Sequence, residues 1–383
     1  MELKKMIQEL LTLEEIEHAE EEYEAIYGVP PFSLSTWNPS LYYRKTYLFN
    51  RVLLPLQTEF IDYIYSYDLD SKLTSACREK IAGTTSTDIV VTNSGTASIS
   101  LVTSVLSAMG LRRIMIVSPV YFAVLYNCTQ KQLDICETHM IRSEDGYHIP
   151  REVILKKNFD VLWLTNPVYN TSVYMNDDDC TFLQEHILPK AYLVVDECFC
   201  KSGAELTRKF LNDPHFIGIY DPMKQFLING SKFSVITIPP NLGNIFYQWS
   251  DVVCGGLTAS TVQAMKFFLS PESNNLLQTL QQADMDIQKE VRIIASKYSD
   301  TFLDNNVDGH MMMCYLPKLK ADYLNTFRDF CRFQAKTGVS IIPGSRFHFP
   351  NEAGFMFRIN LARYDSIRFG AMLKSVLSYL TDR

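Results

Sequence analysis

The chain has 383 residues, 47% of them hydrophobic and 21% charged, enough apolar material for a globular protein and too much for a disordered or fibrous one. Its 43 acidic and 36 basic residues give a net charge of −7, and no long Lys/Arg run occurs, so counterion release onto a nucleic acid is not expected. At roughly 150 residues per domain, the length predicts two or three units.

The chain opens with Glu-rich turns from Leu13 to Tyr27, with Leu, Ile, Ala and Tyr at helical spacing. They predict an amphipathic helix ended by Gly28 and Pro30-Pro31. A short strand is expected over Phe32–Ser35 and a helix over Ser75–Ala82. Continuous apolar runs then alternate with helical stretches: Asp88–Thr92, Ile114–Ser118, Val161–Thr165, Ala191–Asp196, Phe216–Tyr220 and Ser234–Ile238. Such runs predict a mostly parallel sheet covered on both faces, a three-layer α/β/α arrangement. A long helical pattern from Pro271 to Asn305, strand signals at Gly309–Leu316 and Gly338–Ile342, and a closing helix after Tyr364 predict a smaller α+β C-terminal domain. The expected division is an N-terminal arm and helix (1–50), a large domain (51–270) and a small domain (271–383).

Nine scattered cysteines set in apolar strings read as reduced core residues. Cys198 and Cys200 stand too close for a zinc knuckle or a redox pair, and no His cluster accompanies them, so no metal is expected. The N-terminus lacks an apolar signal core, and no segment reaches the roughly 18 apolar residues of a membrane span. A soluble, cytoplasmic protein is the expectation.

In mostly parallel sheets the loops leaving the strand carboxyl ends carry the chemistry. After the first strand, Ser94-Gly95-Thr96 opens a helix, where free N–H groups attract an anion; the same residues also serve as an ordinary N-cap. Asn166-Pro167 presents an amide at the same edge. Asp196 ends its strand among apolar neighbours, where it either meets a cation or donor or caps the next helix. Lys224 follows the next strand, at the edge or merely solvated.

Taken in order, these residues resemble the fold-type I pyridoxal-phosphate enzymes of aminotransferase class I/II. The resemblance rests on Ser94-Gly95-Thr96, Pro119-Val-Tyr121, Asn166-Pro167, Asp196-Glu-Cys-Phe199, Lys224, Lys232 eight positions on, Pro343-Gly344-Ser345-Arg-Phe347 and Phe357-Arg358-Ile-Asn360. It covers roughly residues 60–383 and implies pyridoxal 5'-phosphate as cofactor. Lys224 would then condense with the cofactor aldehyde and move the substrate proton, and Asp196 would keep the ring nitrogen protonated. The resemblance further implies Asn166 on the ring oxygen, Tyr121 stacked on the ring, and Ser94, Gly95 and Thr96 around the phosphate. Arg358 would hold the substrate carboxylate, with Asn166 beside it. Tyr67, with Tyr63 and Tyr65 as rivals, resembles the tyrosine that reaches a neighbouring subunit's phosphate, implying a homodimer with shared sites. Trp37 and Asn38, with Tyr42, Tyr43 and Tyr169, are candidate walls for the substrate side chain.

Departures from the pattern concentrate around the cofactor. Phe199 replaces a tyrosine that donates to the ring oxygen, unless it is a core residue facing elsewhere. Lys232 replaces an arginine. Asp221 stands three residues before the lysine, where the family has a hydroxyl on the phosphate. Two like charges ~5 Å apart at an effective dielectric of ~20 repel by roughly 3 kcal/mol. Either Asp221 turns away, for instance onto Lys232, or the phosphate seat is remodelled. The expected function is amino transfer from an L-amino acid, a small-molecule substrate. The alternatives are Cα oxidation, cyclisation or β/γ elimination on the same scaffold in a specialised biosynthetic pathway, and a non-enzymatic binding descendant.

Overall fold

The computed structural model describes residues 8–36, 38–48, 69, 71–83, 88–201, 203–347, 349 and 354–382. Its centre is a seven-stranded sheet made of β1 (Asp88–Thr92), β2 (Arg113–Ser118), β3 (Asp134–His139), β4 (Val161–Thr165), β5 (Tyr192–Asp196), β6 (Phe216–Tyr220) and β7 (Ser234–Ile238), in the order β1-β7-β6-β5-β4-β2-β3. Neighbours from β6 through to β3 pair parallel, and β7 runs antiparallel to both β6 and β1. The six apolar runs of the sequence are six of these strands. The seventh, β3, is half-exposed at the sheet edge and was not expected.

Successive side chains of a strand point to opposite faces, so a run that is apolar throughout needs cover on both sides. Val90, Ile116, Trp163, Val194, Ile217 and Ile236 face one layer, packed with Val102 and Val105 of the helix Gly95–Ala108. Val91, Val117, Leu164, Val195 and Val235 face the other, which continues into the C-terminal part of the chain. Trp163 is fully buried at the centre.

The C-terminal part holds the helix Pro271–Ala295 and a three-stranded antiparallel sheet of Phe302–Leu303, Met311–Leu316 and Phe355–Asn360. The helix stops ten residues short of the expected Asn305, capped at Ser296. The N-terminal helix, Gln8–Tyr27, packs against the helix Phe327–Thr337, and Phe32–Ser33 pairs parallel with Val339–Ser340. The arm is therefore built into the C-terminal part rather than standing apart from it. No helix among the described residues is long and apolar enough to cross a membrane.

A buried ionic cluster ties this part to the sheet. Asp284, on the long helix, bonds Lys201 and also His310, whose Nδ1 lies 2.9 Å from Asp284 Oδ1. His310 Nε2 lies 3.0 Å from the Gln225 carbonyl oxygen. Burial alone would raise the Asp284 carboxyl pKa, but His310 and Lys201 outweigh it and hold the group below its usual range. Removing one partner of a buried ion pair leaves the others uncompensated. Asp284→Asn should therefore destabilise the fold by about 3–5 kcal/mol in denaturant titrations at neutral pH. A depressed carboxyl pKa contributes stability above the ordinary value of about 4 and loses it as pH falls through the depressed one. The gap between wild type and variant should narrow below pH ~4; a gap independent of pH would place the cost in packing instead.

Candidate active site

The parallel register sets the ends of β4, β5 and β6 level. Thr165 is opposite Asp196, and Asp196 is opposite Ile219. The backbone continues the ladder past the strands, with Asn166 N–H donating to the Asp196 carbonyl at 3.0 Å and Glu197 N–H to that of Ile219 at 2.7 Å. Asn166, Asp196 and the loop Asp221–Lys224 thus leave the sheet side by side.

Lys224 opens a single 3-10 turn closed by Leu227 in the left-handed region at φ 59°. Its Nζ lies 4.3 Å from the centroid of the Phe199 ring and 5.9 Å from that of Tyr121. Tyr169, fully buried, sets its ring edge-on to Phe199 at 5.6 Å and stands 6.1 Å from Tyr121. The lysine therefore sits among three aromatic rings, where a bare ammonium is costly. Burial lowers the Lys224 pKa, but the neighbouring acidic groups, among them Asp221 and Asp196, outweigh it, so the net direction is upward. Burial and the Asp196 charge hold the Cys198 thiol far above its ordinary range, hence neutral, which leaves the two carboxylates as the anions facing the lysine.

Asp196 is buried, and its Oδ1 accepts the Cys198 N–H at 3.0 Å. The helix Gly95–Ala108 points its N-terminus at the same edge, with Ser94 as N-cap accepting from Ala97 N–H at 3.2 Å. A Cβ on Gly95 would stand 3.0 Å from Cys198 Sγ and 3.7 Å from Asp221 Oδ2. Glycine is what allows this helix end to approach both. Thr96 and Lys232 are exposed.

Arg358 comes from the C-terminal sheet, opposite Met313, and is buried. One guanidinium nitrogen donates to Asn170 Oδ1 at 2.7 Å and another to the Ser35 carbonyl at 2.6 Å. Asn170, with φ at 68°, leaves its Nδ2 buried and without a hydrogen-bond partner among the described residues. Asn166 accepts the Met175 N–H on Oδ1 at 2.9 Å, and its Nδ2 makes no hydrogen bond among the described residues. Two amide donors are thus unspent near the lysine and the arginine. Such donors mark where a ligand with acceptors belongs.

No protein-family model matches the sequence, and no curated protein does. Solved structures do match. The kynurenine aminotransferase of Pyrococcus horikoshii superposes with a TM-score of 0.75 at 14% identity, over 95% of this chain and 94% of that one. The N-succinyldiaminopimelate aminotransferase of Mycobacterium tuberculosis gives 0.73 at 13%, over 97% and 96%. The pyridoxal-phosphate-bound C-S lyase of Staphylococcus hominis gives 0.71 at 15%, over 94% and 96%. The fold is that of the pyridoxal-phosphate aminotransferases.

On this aminotransferase fold, the described residues gather Lys224, Asp196, Phe199, Tyr121 and the start of the Gly95 helix at one edge, as the sequence led us to expect. Phe199 faces the lysine while also packing against the core. Asp221 does not turn away: it is buried and faces Gly95. The amide bonded to Arg358 is Asn170, a residue not singled out in the sequence, and Asn166 is held by Met175 instead. Tyr43 packs in the core against Tyr47, and Tyr42 lies edge-on to Tyr364. Trp37 and Tyr67, with Tyr63 and Tyr65, lie outside the described residues.

The residues present fit a planar cofactor with a ring nitrogen and a ring oxygen. Asp196 supplies the anion, the two asparagines supply spare donors, and the aromatic rings supply a face. A phosphate end would meet the Gly95 helix N-terminus, but beside a carboxylate. The close packing at Gly95 is directly testable. Gly95→Ala should destabilise the protein by about 1–3 kcal/mol through overpacking on Cys198. In Cys198→Ala the same change should cost less than half as much. Additive losses in that double-mutant cycle would show that Gly95 is not held to glycine by Cys198.

Proposed function

We propose that the protein is a pyridoxal-phosphate-dependent aminotransferase acting on an L-amino acid. The observation that carries this reading is the buried pairing of Arg358 with Asn170, the residue after Tyr169, whose ring lies edge-on to the Phe199 ring beside Lys224. An amino acid needs a guanidinium for its α-carboxylate and an amine base near its Cα, the roles proposed for Arg358 and Lys224.

Lys224 would carry the cofactor covalently through its Nζ and, once the substrate amine had displaced it, accept the Cα proton on that freed nitrogen. Bound there, the cofactor supplies the electron-withdrawing ring that lets the Cα–H bond ionise. Asp196 would keep the ring nitrogen protonated, since an adjacent carboxylate favours the cationic form. Asn166 would donate to the ring oxygen through its spare Nδ2, and Tyr121 would cover one face. Ser94, Gly95 and Thr96 would offer helix N–H groups to the phosphate, with Lys232 as the outer cation. Phe199 gives the ring oxygen no donor, so the amide carries that task alone. Tyr67 would complete the phosphate seat from a second subunit in a homodimer. The nine cysteines, all unpaired, suit a cytoplasmic location.

The amine is tested by reduction. Purified protein should show a yellow chromophore that borohydride fixes; Lys224→Ala should abolish it and Lys232→Ala should keep it. The reverse result would move the covalent site to Lys232. Arg358→Lys retains charge but loses the planar fork, so amino acids should bind about 10–100-fold more weakly while the cofactor spectrum stays unchanged. Transamination requires a keto acid acceptor. Release of ammonia without one would instead identify a lyase or oxidase on this scaffold.

A further inference from the structure

The carboxylate at the phosphate end is the feature that the proposed function leaves unexplained. Asp221 is 1% exposed, and its Oδ1 accepts the Met223 N–H at 3.2 Å. Its Oδ2 faces the N-terminus of the Gly95–Ala108 helix, 3.7 Å from where a Gly95 Cβ would stand, and accepts no hydrogen bond among the described residues. A helix N-terminus carries a partial positive charge and stabilises an anion. Here the chain places its own anion against it. A phosphate monoester entering the same seat brings close to two further negative charges at pH 7. Held side by side and fully ionised, the two would repel.

The surroundings determine how the conflict resolves. Lys224 and Lys232 are the cations that face Asp221, Asp196 is the neighbouring anion, and Cys198 and Tyr220 are the neighbouring acids. The Cys198 thiol and Tyr220 phenol are both pushed far above their ordinary ranges, chiefly by burial, and stay neutral. Lys224 would be consumed by the cofactor's aldehyde, and Lys232 is exposed. The cheapest remaining neutralisation is a proton on Asp221, which turns a repelling carboxylate into a hydrogen-bond donor toward a phosphate oxygen. Burial already pushes this carboxyl upward against the pull of the two lysines.

We infer that Asp221 is a proton-linked gate of the anion seat, ionised against the helix when the seat is empty and protonated when a phosphate monoester occupies it. This rests on the cofactor reading above and deepens it, since cofactor capture then takes up one proton. Affinity for the phosphate-bearing cofactor should fall as pH rises, by up to tenfold per unit between pH 7 and 9, where the phosphate itself no longer titrates.

The test compares pyridoxal phosphate with pyridoxal, which forms the same bond to the protein and lacks the phosphate. The ratio of their affinities cancels the titration of Lys224. In the wild type this ratio should drop about 10–100-fold from pH 7 to 9. In Asp221→Asn it should be larger at every pH and nearly flat, and Asp221→Ser should behave likewise if the Asn variant folds poorly. Inorganic phosphate gives an arm independent of the covalent bond: at pH 8 it should raise the melting temperature of the Asn variant more than that of the wild type. A ratio with the same pH slope in both proteins, together with equal protection by phosphate, would overturn the gate while leaving the cofactor reading intact. Failure of both pyridoxal compounds to form a borohydride-reducible adduct with the wild type would overturn the cofactor reading and the gate with it.

Discussion

The site depends on one constraint: adjacent parallel strands end level, so whatever residue follows each strand is delivered to the same edge. Thr165, Asp196 and Ile219 are in register across β4, β5 and β6. The sheet is stabilised by burial on both faces, not by anything at its edge, and so it can hold polar groups there that would not persist on a less rigid support. Asp196, Asp221 and Lys224 are all placed this way. Two carboxylates against one ammonium leave an excess negative charge in a poorly solvated place. A proton on Asp221 or a cationic ring nitrogen beside Asp196 would relieve it, and each makes the other less necessary.

The second half of the site is held by different physics. Arg358 lies on an antiparallel sheet of the C-terminal part, and its position relative to Lys224 is set by long-range ties rather than by strand register. His310 donates to the carbonyl of Gln225, the residue after Lys224, while Asp284 joins His310 to Lys201. Ser172 adds a further tie, its Oγ accepting the Met311 N–H at 3.1 Å and its carbonyl the Asp308 N–H at 2.9 Å. These contacts lie within a few residues of Asn170 and Lys224. These polar ties and the shared apolar core together join the part that carries Lys224 to the part that carries Arg358.

The central strands were legible because a strand covered on both faces must be apolar at every position, and runs such as Val161–Thr165 have no other simple explanation. Edge strand β3 was not legible: Asp-Ile-Cys-Glu-Thr-His pairs on one side only, is half-exposed, and mixes polar with apolar residues. The end of the long helix was misread because Ser296–Asp300 contains neither Gly nor Pro, so no local signal marks the stop. Among site residues, those directly after a strand or at a helix start were readable from local sequence. Asn170 was not, because its significance comes from Arg358, 188 positions away. Its one local signal is a left-handed φ, which asparagine tolerates better than most residues and which follows Asn166-Pro167 in a turn. Lys201, Asp284 and His310 were invisible for the same reason, since no pair of them is close in sequence.

The two ends proposed to receive anions illustrate opposite uses of a preformed contact. At Arg358 the guanidinium is already fixed by Asn170 and by the Ser35 carbonyl, both of them neutral acceptors. Ser35 is itself anchored, its Oγ donating to the Arg358 carbonyl at 2.5 Å and accepting the Ile342 N–H at 3.3 Å. On the proposed reading, an arriving carboxylate would meet a cation whose orientation is already set, so little rotamer entropy would be lost on binding. At Gly95 the preformed neighbour is the Asp221 carboxylate, so the same rigidity would work against an incoming phosphate until a proton intervened. Burial sets both cases. It strengthens the attraction at one end and the repulsion at the other, and only at the second can a change in protonation reverse the sign.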